Sequence, residues 1–396
     1  ANSEEVSRLF EKSNATLEKL GAVITTREIQ QEPKLWLETL AICQQHQAKL
    51  ADLLASFELK ENQKIRVIFT GAGTSQYVGD TLVPYLRRTG DTNRFEFVSL
   101  GTTDIVAAPK DYLLADEPTL LVSFARSGNS PESKATVKLA NKVVKQVKHL
   151  VITCAVEGAL AVTGKTDANS LVVLMPELSN DKGFAMTGSF TCMTLAGLLF
   201  FDQTDQAKKI DYVKTAVKLG EYVIEQEDQL AALVELDFER IVYLGSGPLS
   251  GLAREAQLKI LELTHGQIAT VFDSSMGFRH GPKSFINEKT LVLGLVANDP
   301  YTRKYDLDVL EEVHADQIAL QTVSIGQVSG HEFTGQRFDY PPSETLPEGY
   351  LALPDIMVAQ VIALLTSLKI GNTPDTPSPS GTVNRVVKGV LIHEFE

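Results

Sequence analysis

The 396-residue chain is 43% hydrophobic and 22% charged, the balance of a folded globular protein with room for two to three cored domains. A formal net charge of −13 and a pI near 5.1, with no basic stripe, argue against nucleic acid or an acidic membrane as partner, although a local nest of donors can still hold a phosphate. The three cysteines, Cys43, Cys154 and Cys192, show no CxxC spacing and predict buried thiols in a reducing compartment, the cytoplasm, rather than a disulfide framework or a zinc site.

Residues 1–31 are polar and mixed in charge with no apolar leader core, and no run is expected to reach the length needed to cross a bilayer. Helices are expected over 1–50. Apolar runs at 65–70, 95–100, 119–124, 149–155 and 171–176 then alternate with amphipathic stretches at 76–89, 131–147 and 187–203. This alternation predicts an α/β fold whose mainly parallel sheet is covered on both faces.

Two of these runs break into small, hydroxyl-rich turns. One is Val67-Ile68-Phe69-Thr70-Gly71-Ala72-Gly73-Thr74-Ser75, the other Leu121-Val122-Ser123-Phe124-Ala125-Arg126-Ser127-Gly128-Asn129-Ser130. Singly, Thr74, Ser75 or Ser130 is most simply a helix cap. Together, at two strand ends, they predict a crevice above the carboxyl edge of a parallel sheet, where backbone N–H groups and hydroxyls converge on an anion. No Gly-Lys-Ser/Thr follows, and Gly71-Ala72-Gly73 lacks the third glycine and the acidic residue of a dinucleotide fingerprint, so a small phosphate is expected.

A second series begins at Ile241-Val242-Tyr243-Leu244-Gly245-Ser246-Gly247, which restates the first loop 174 residues later. Further runs at 268–273, 290–297, 317–325 and 350–354 predict a second copy of the same doubly wound domain. The expected boundaries are 51–205 for the first copy, 206–235 for a connecting helical segment, 236–370 for the second copy and 371–396 for a tail that is irregular through its Pro- and Ser-rich start. Where the first copy has Ser127, Gly128 and Ser130, the second has Ala297-Asn298-Asp299-Pro300, whose carboxylate and missing hydroxyls would repel an anion. Phosphate binding is therefore assigned to the first copy.

The second copy carries Arg254-Glu255-Ala256-Gln257-Leu258-Lys259-Ile260-Leu261-Glu262-Leu263, a helix with Leu258, Leu261 and Leu263 expected to face inward, and then His280-Gly281-Pro282-Lys283 in a loop. Glu and His are the residue types for proton transfer between adjacent sugar carbons and for ring opening near neutral pH. Taken singly, a helix Glu is most often solvated filler and a His before Gly-Pro a turn residue.

With these residues assembled, the chain resembles the tandem sugar isomerase (SIS) domain family and is similar to the isomerase half of glucosamine-6-phosphate synthase. Gly71 to Ser75 matches that family's first Ser-bearing loop, and Ala125 to Ser130 its Ser-Gln-Ser-Gly-Glu-Thr phosphate loop. Leu258 to Leu263 resembles the helix of the proton-shuttling glutamate, which falls on Glu262, and His280-Gly281-Pro282 the ring-opening histidine motif. Asn384-Arg385-Val386-Val387-Lys388-Gly389-Val390 resembles the tail whose lysine engages the open-chain sugar, which implies Lys388.

Departures from the family pattern shape the implied activity. No glutaminase segment is expected to accompany the two copies, and Arg126 replaces a Gln, so the resemblance is greatest to the galactosamine-6-phosphate deaminase/isomerase group, also described as tagatose-6-phosphate ketose/aldose isomerases. It implies a sugar-phosphate substrate held by Thr74, Ser75, Arg126, Ser127 and Ser130, with His280 opening the ring and Glu262 moving the C2 proton to C1. Lys388 would stabilise the enolamine or form a transient imine. No metal or redox cofactor is required for such chemistry. The resemblance also implies a homodimer in which His280 completes the partner's site. The other expectations it leaves are a plain aldose–ketose isomerase, a fructosamine-6-phosphate deglycase and a sugar-phosphate-sensing module.

Overall fold

The computed structural model describes residues 7–396, so the first six residues of the expected N-terminal helical segment lie outside the described residues. Helices α1 (Asn14–Lys19), α2 (Val23–Gln30) and α3 (Glu32–Ala55) come first. The first series runs β1 (Ile65–Gly71), α4 (Thr74–Thr89), β2 (Phe95–Gly101), α5 (Thr102–Ala107), α6 (Pro109–Tyr112), β3 (Thr119–Ala125), α7 (Pro131–Val143), β4 (Val147–Thr153), α8 (Ala159–Lys165), β5 (Ser170–Leu174) and α9 (Gly188–Phe201). After α10 (Gln206–Glu225) and α11 (Glu227–Val234), the second series is β6 (Arg240–Gly245), α12 (Pro248–Leu263), β7 (Ala269–Ser274), β8 (Thr290–Leu295), α13 (Pro300–Asp316), β9 (Gln321–Gly326), β10 (Gln336–Asp339) and α14 (Glu348–Lys369). Two compact units result: the first sheet's unit comprises Lys34–Asp181, Gly188–Ile210 and Val383–Glu396, and the second sheet's unit comprises Lys182–Thr187, Asp211–Thr382 and the residues up to Pro33.

In the first unit the strand order is β2-β1-β3-β4-β5, every pair parallel. Its strands read as continuous apolar runs because helices cover both faces. Phe69 of β1 points to one side, stacking on Phe97 at 6.1 Å and meeting Phe201 of α9 edge-on at 5.6 Å. Its neighbour Ile68 points to the other, into a cluster with Leu121, Ile105, Ala140 and Val144. The stretch expected to be amphipathic at 187–203 is corrected: α9 is buried at every residue from Gly188 to Phe201. Gly197 makes this close packing feasible, since a Cβ there would lie 2.3 Å from Cδ1 of Leu82 on α4.

The second unit repeats the connectivity, with order β10-β9-β8-β6-β7, again all parallel. The first-strand turns match closely: Gly73 before α4 has φ 57° and ψ −125°, and Gly247 before α12 has φ 57° and ψ −127°. The two sheets are copies of one doubly wound design.

Two sequence expectations fail at α14. Residues 350–354 are not a strand but the start of α14, because a short apolar run has no periodicity of its own and this one continues into a 22-residue helix. The fifth strand is β10, whose Gln-Arg-Phe-Asp pattern buries only Phe338, as suits an edge. The expectation that no run could cross a bilayer is corrected by the same helix: α14 has the length and apolarity, with a mean hydropathy of 1.9. That apolar window is 100% buried in the protein, against α11 and α12 among others, so α14 is a core helix of this unit.

Candidate functional site

In the first unit, β1 and β3 lie side by side with Thr70 opposite Ser123, so the loops that follow them open at neighbouring points of the sheet's carboxyl edge. This is the point where the strand order reverses, the place ligands occupy in such sheets. After β1 the chain turns sharply through Gly71, where a Cβ would sit 2.6 Å from the Ser75 backbone, and α4 opens with Thr74 and Ser75 buried in its first turn. After β3, Gly128 takes φ 72° and the loop is pinned to α8: Leu160 N–H donates to the Gly128 carbonyl at 3.2 Å and Ala159 N–H to Asn129 Oδ1 at 2.9 Å. Ser127 Oγ accepts from Asn129 N–H at 3.2 Å. Two helix N-termini, of α4 and α7, thus flank the crevice, that of α7 opening on Pro131 and capped by Ser130.

Ser130 is the N-cap of α7, accepting from Ser133 N–H at 3.3 Å while donating to Ser133 Oγ at 2.8 Å. Its oxygen serves the helix, and only its hydroxyl proton can be redirected to a ligand. Arg126 is buried, and its Nη2 donates to the backbone carbonyl of Arg385 at 2.6 Å. Arg385 in turn donates through Nε to the Asp181 carbonyl at 2.9 Å. Arg126 therefore ties the loop after β3 to the tail that carries Lys388, a connection the sequence does not signal because its acceptor is a backbone carbonyl 259 residues away. Lys388 itself is exposed. Farther along the tail, Phe395 lies over the ammonium groups of Lys142 and Lys110 at 5.4 and 5.9 Å, and Lys142 donates to its carbonyl.

In the second unit, α12 buries Leu249, Leu252, Ala253, Ala256, Ile260 and Leu263, a 3.6-residue stripe. Leu258 and Leu261, expected to face inward, fall off its phase and are only partly buried, while Lys259 is fully buried. Lys259 Nζ lies 2.8 Å from Glu255 Oε1 and 2.5 Å from Glu262 Oε1. Burial pulls the Lys259 pKa down, but the facing charges of Glu255 and Glu262 and their hydrogen bonds outweigh it and hold the ammonium above the usual lysine range. Glu262, with 21% of its side chain exposed, is the member of the trio that can reach a substrate.

His280 is exposed in the loop after β7, where Gly281 at φ 116° sets a turn that only glycine adopts readily. The loop is staked to α13 by Arg279 on Glu312 at 3.0 Å and by Lys283 on Glu312 and Asp316 at 3.0 and 2.6 Å. Glu262 ends α12 at the amino edge of the sheet, whereas His280 follows β7 at the carboxyl edge. The six residues of β7 separate them, roughly 20 Å at strand rise. One unit does not bring these two residues together.

The crevice of the second sheet is built differently from its counterpart. Asp299, expected to repel an anion there, instead caps α13, accepting from Tyr301 and Thr302 N–H at 3.0 Å each. The carboxylate in the crevice is that of Asp306, 2% exposed, which accepts from Ser246 Oγ at 2.5 Å, Ser275 Oγ at 2.6 Å and Ala297 N–H at 2.9 Å.

Cys43, Cys154 and Cys192 are free and buried, and burial pushes the first two thiols up to about 12, so neither offers a thiolate. Among the described residues, no three His, Cys, Asp or Glu side chains are grouped so as to hold a metal ion.

No protein-family model matches the chain. D-galactosamine-6-phosphate deaminase AgaS of Escherichia coli O157:H7 is 43% identical to it over 381 residues, 94% of this chain and 96% of that protein. The crystal structure of tagatose-6-phosphate ketose/aldose isomerase from Escherichia coli aligns with a TM-score of 0.84 at 39% identity, covering 94% of this chain and 96% of that one. The C-terminal domain of glucosamine-fructose-6-phosphate aminotransferase from Francisella tularensis shares the fold, with a TM-score of 0.73 at 19% identity over 89% of this chain and 98% of its own. With two parallel five-stranded sheets of one connectivity and this likeness over nearly its whole length, the chain belongs to the family of the D-galactosamine-6-phosphate deaminase AgaS and the tagatose-6-phosphate ketose/aldose isomerases, built on two tandem SIS folds.

Proposed function

We propose that the protein converts galactosamine 6-phosphate and water into tagatose 6-phosphate and ammonia. The observation that carries this reading is the 43% identity, over 94% of the chain, to a D-galactosamine-6-phosphate deaminase. The local chemistry is in keeping with it. Thr74, Ser75, Ser127 and the Ser130 hydroxyl, with the N–H groups that open α4, are donors suited to a phosphate dianion. Arg126 adds a charge to the same loop while holding the tail.

His280 would move the proton that opens the pyranose to its aldehyde. Glu262 would then take the C2 proton, leaving a C1–C2 enolamine, and return a proton to C1. The resulting C2 ketimine adds water and expels ammonia, giving the ketose. Carbon, nitrogen and proton counts close with one water and no change in overall oxidation state. Lys388 would steady the enolamine oxygen at C1. Because Glu262 and His280 lie at opposite edges of one sheet, we assign His280 in each site to a second copy of the chain, in a two-fold homodimer. The buried free thiols fit the cytoplasm.

A second reading is favoured by the solved relative described as a tagatose-6-phosphate ketose/aldose isomerase. It shares the enolisation and differs in acting on a sugar with oxygen rather than nitrogen at C2, so that no ammonia is released. Assaying ammonia with galactosamine 6-phosphate and glucosamine 6-phosphate, and aldose–ketose interconversion with tagatose 6-phosphate, separates the two. Ammonia from the galacto epimer supports deamination. Aldose–ketose interconversion of tagatose 6-phosphate without ammonia from either amine would replace it with isomerisation.

A further inference from the structure

We propose that Asp306 is the second copy's built-in substitute for a bound phosphate and, through that role, the positioning residue for the His280 segment. The inference extends the function above, since it rests on His280 acting in ring opening. Its physical basis lies within the second unit alone.

The switch point of the second sheet lies between β6 and β8, as that of the first lies between β1 and β3. Ser246 stands just past β6, Ser275 just past β7 and Ala297 just past β8, and all three donate to one carboxylate, that of Asp306. Three donors from three adjacent strand ends converging on two oxygens is the coordination a phosphate would otherwise receive there. The exchange that creates it is visible by counting along the paired helices. Pro131 opens α7 and Pro300 opens α13, which places Asp306 where the first copy has Val137, a residue packed against an apolar cluster. The first crevice thus has no carboxylate at this position, while in the second the helix that follows supplies one.

The same helix holds the His280 loop from two sides. Ser275 begins the segment that leads through Met276 to Arg279 into His280, and its hydroxyl is fixed on Asp306 from inside the fold. Outside, Arg279 and Lys283 flank His280 and pair with Glu312 and Asp316 of α13. Removing the inner anchor should let the loop shift while the outer ion pairs remain, and a shift of about 1 Å at a catalytic group costs on the order of 100-fold in rate.

Asp306→Ala empties the crevice and is tested with formate, a carboxylate small enough to replace what was removed. On galactosamine 6-phosphate, kcat should fall about 10- to 100-fold with little change in KM. Formate should restore kcat in Asp306→Ala and leave the wild type unaffected. Independently of any substrate, formate should raise the thermal midpoint of Asp306→Ala and not that of the wild type, so this arm stands even if galactosamine 6-phosphate is not turned over. A folded Asp306→Ala protein that responds to formate in neither assay overturns the proposal. If that variant does not fold, Asp306→Asn decides: it keeps an oxygen for the two serines, loses the acceptor for Ala297 N–H, and should show a several-fold lower kcat without formate response. Wild-type kcat in Asp306→Asn would overturn the positioning role.

Discussion

Lys259 Nζ sits 2.5 Å from Glu262 Oε1, entirely buried, with Glu255 on its other side at 2.8 Å. Lys259 gives the proposed proton shuttle a charged partner fixed on the same helix, one turn away. Removing one partner of a buried ion pair costs about 3–5 kcal/mol because the remaining charge is left uncompensated. Lys259→Met should lower the stability read by urea unfolding by an amount in that range, and pairing it with Glu255→Met should recover part of the loss. An unchanged midpoint in the single variant would show that the trio is not a buried network.

Phosphate affinity should reside in the first unit. Ser127→Ala removes a hydroxyl from the loop after β3 without touching the α7 cap, and a hydrogen bond to a charged group is worth about 1.5–3 kcal/mol, or about 10- to 150-fold in binding. KM for the sugar phosphate should rise within that range, with the melting temperature unchanged. An unaltered KM would remove this loop from the site.

Asp355 carries the clearest pH signature in the second unit. Burial raises its carboxyl from the usual range to about 8, opposed by the hydrogen bond from Tyr340 Oη at 2.6 Å. Its folded pKa exceeds the unfolded one, so its contribution to stability is fully present below about pH 4, the ordinary carboxyl range, and is lost as pH rises through about 8. Asp355→Asn should therefore gain stability relative to the wild type as pH is raised from 5 to 9, by about 1 kcal/mol or more, since a tenfold difference in proton affinity between the folded and unfolded chain is worth about 1.4 kcal/mol. Urea midpoints of both proteins across that range would read it, and parallel curves would contradict it.

Shared sites predict complementation. His280→Ala and Glu262→Gln proteins, each inactive, should regain about a quarter of wild-type activity when mixed under conditions of subunit exchange, since about half the dimers are mixed and half of their sites carry both wild-type residues. Exchange verified by mass with no returning activity would place His280 and Glu262 in one chain's own site.

The strands of the first sheet were legible because buried parallel strands are continuous apolar runs, and β1 to β5 follow the five runs. The duplication was legible from Gly71-Ala72-Gly73 and Gly245-Ser246-Gly247, whose last glycines share one backbone conformation. Less was visible where a residue's meaning depends on a distant partner. β10 has one apolar side chain in four and no run to detect. Asp306 looks like any helix carboxylate until Ser246 and Ser275 are seen to meet it from 60 and 31 residues away. Asp299, immediately before a helix start, is a local cap, although its charge alone suggests an anion-repelling role. Lys259 reads as a surface lysine between apolar neighbours, and only the phase of α12 shows that it points inward.

Turnover in D2O tests the central claim, that Glu262 moves a proton from C2 to C1 of an open-chain amino sugar. Because the Glu262 side chain is 21% exposed and can exchange the proton it has taken with solvent before returning one, the wild-type protein should release ammonia from galactosamine 6-phosphate and yield tagatose 6-phosphate carrying deuterium at C1 in part of the product. Glu262→Gln should bind the substrate yet lose both ammonia release and the C1 label by about 10²- to 10⁴-fold, the usual contribution of a general base. Near-normal turnover of Glu262→Gln, with deuterium still delivered to C1, would contradict the account.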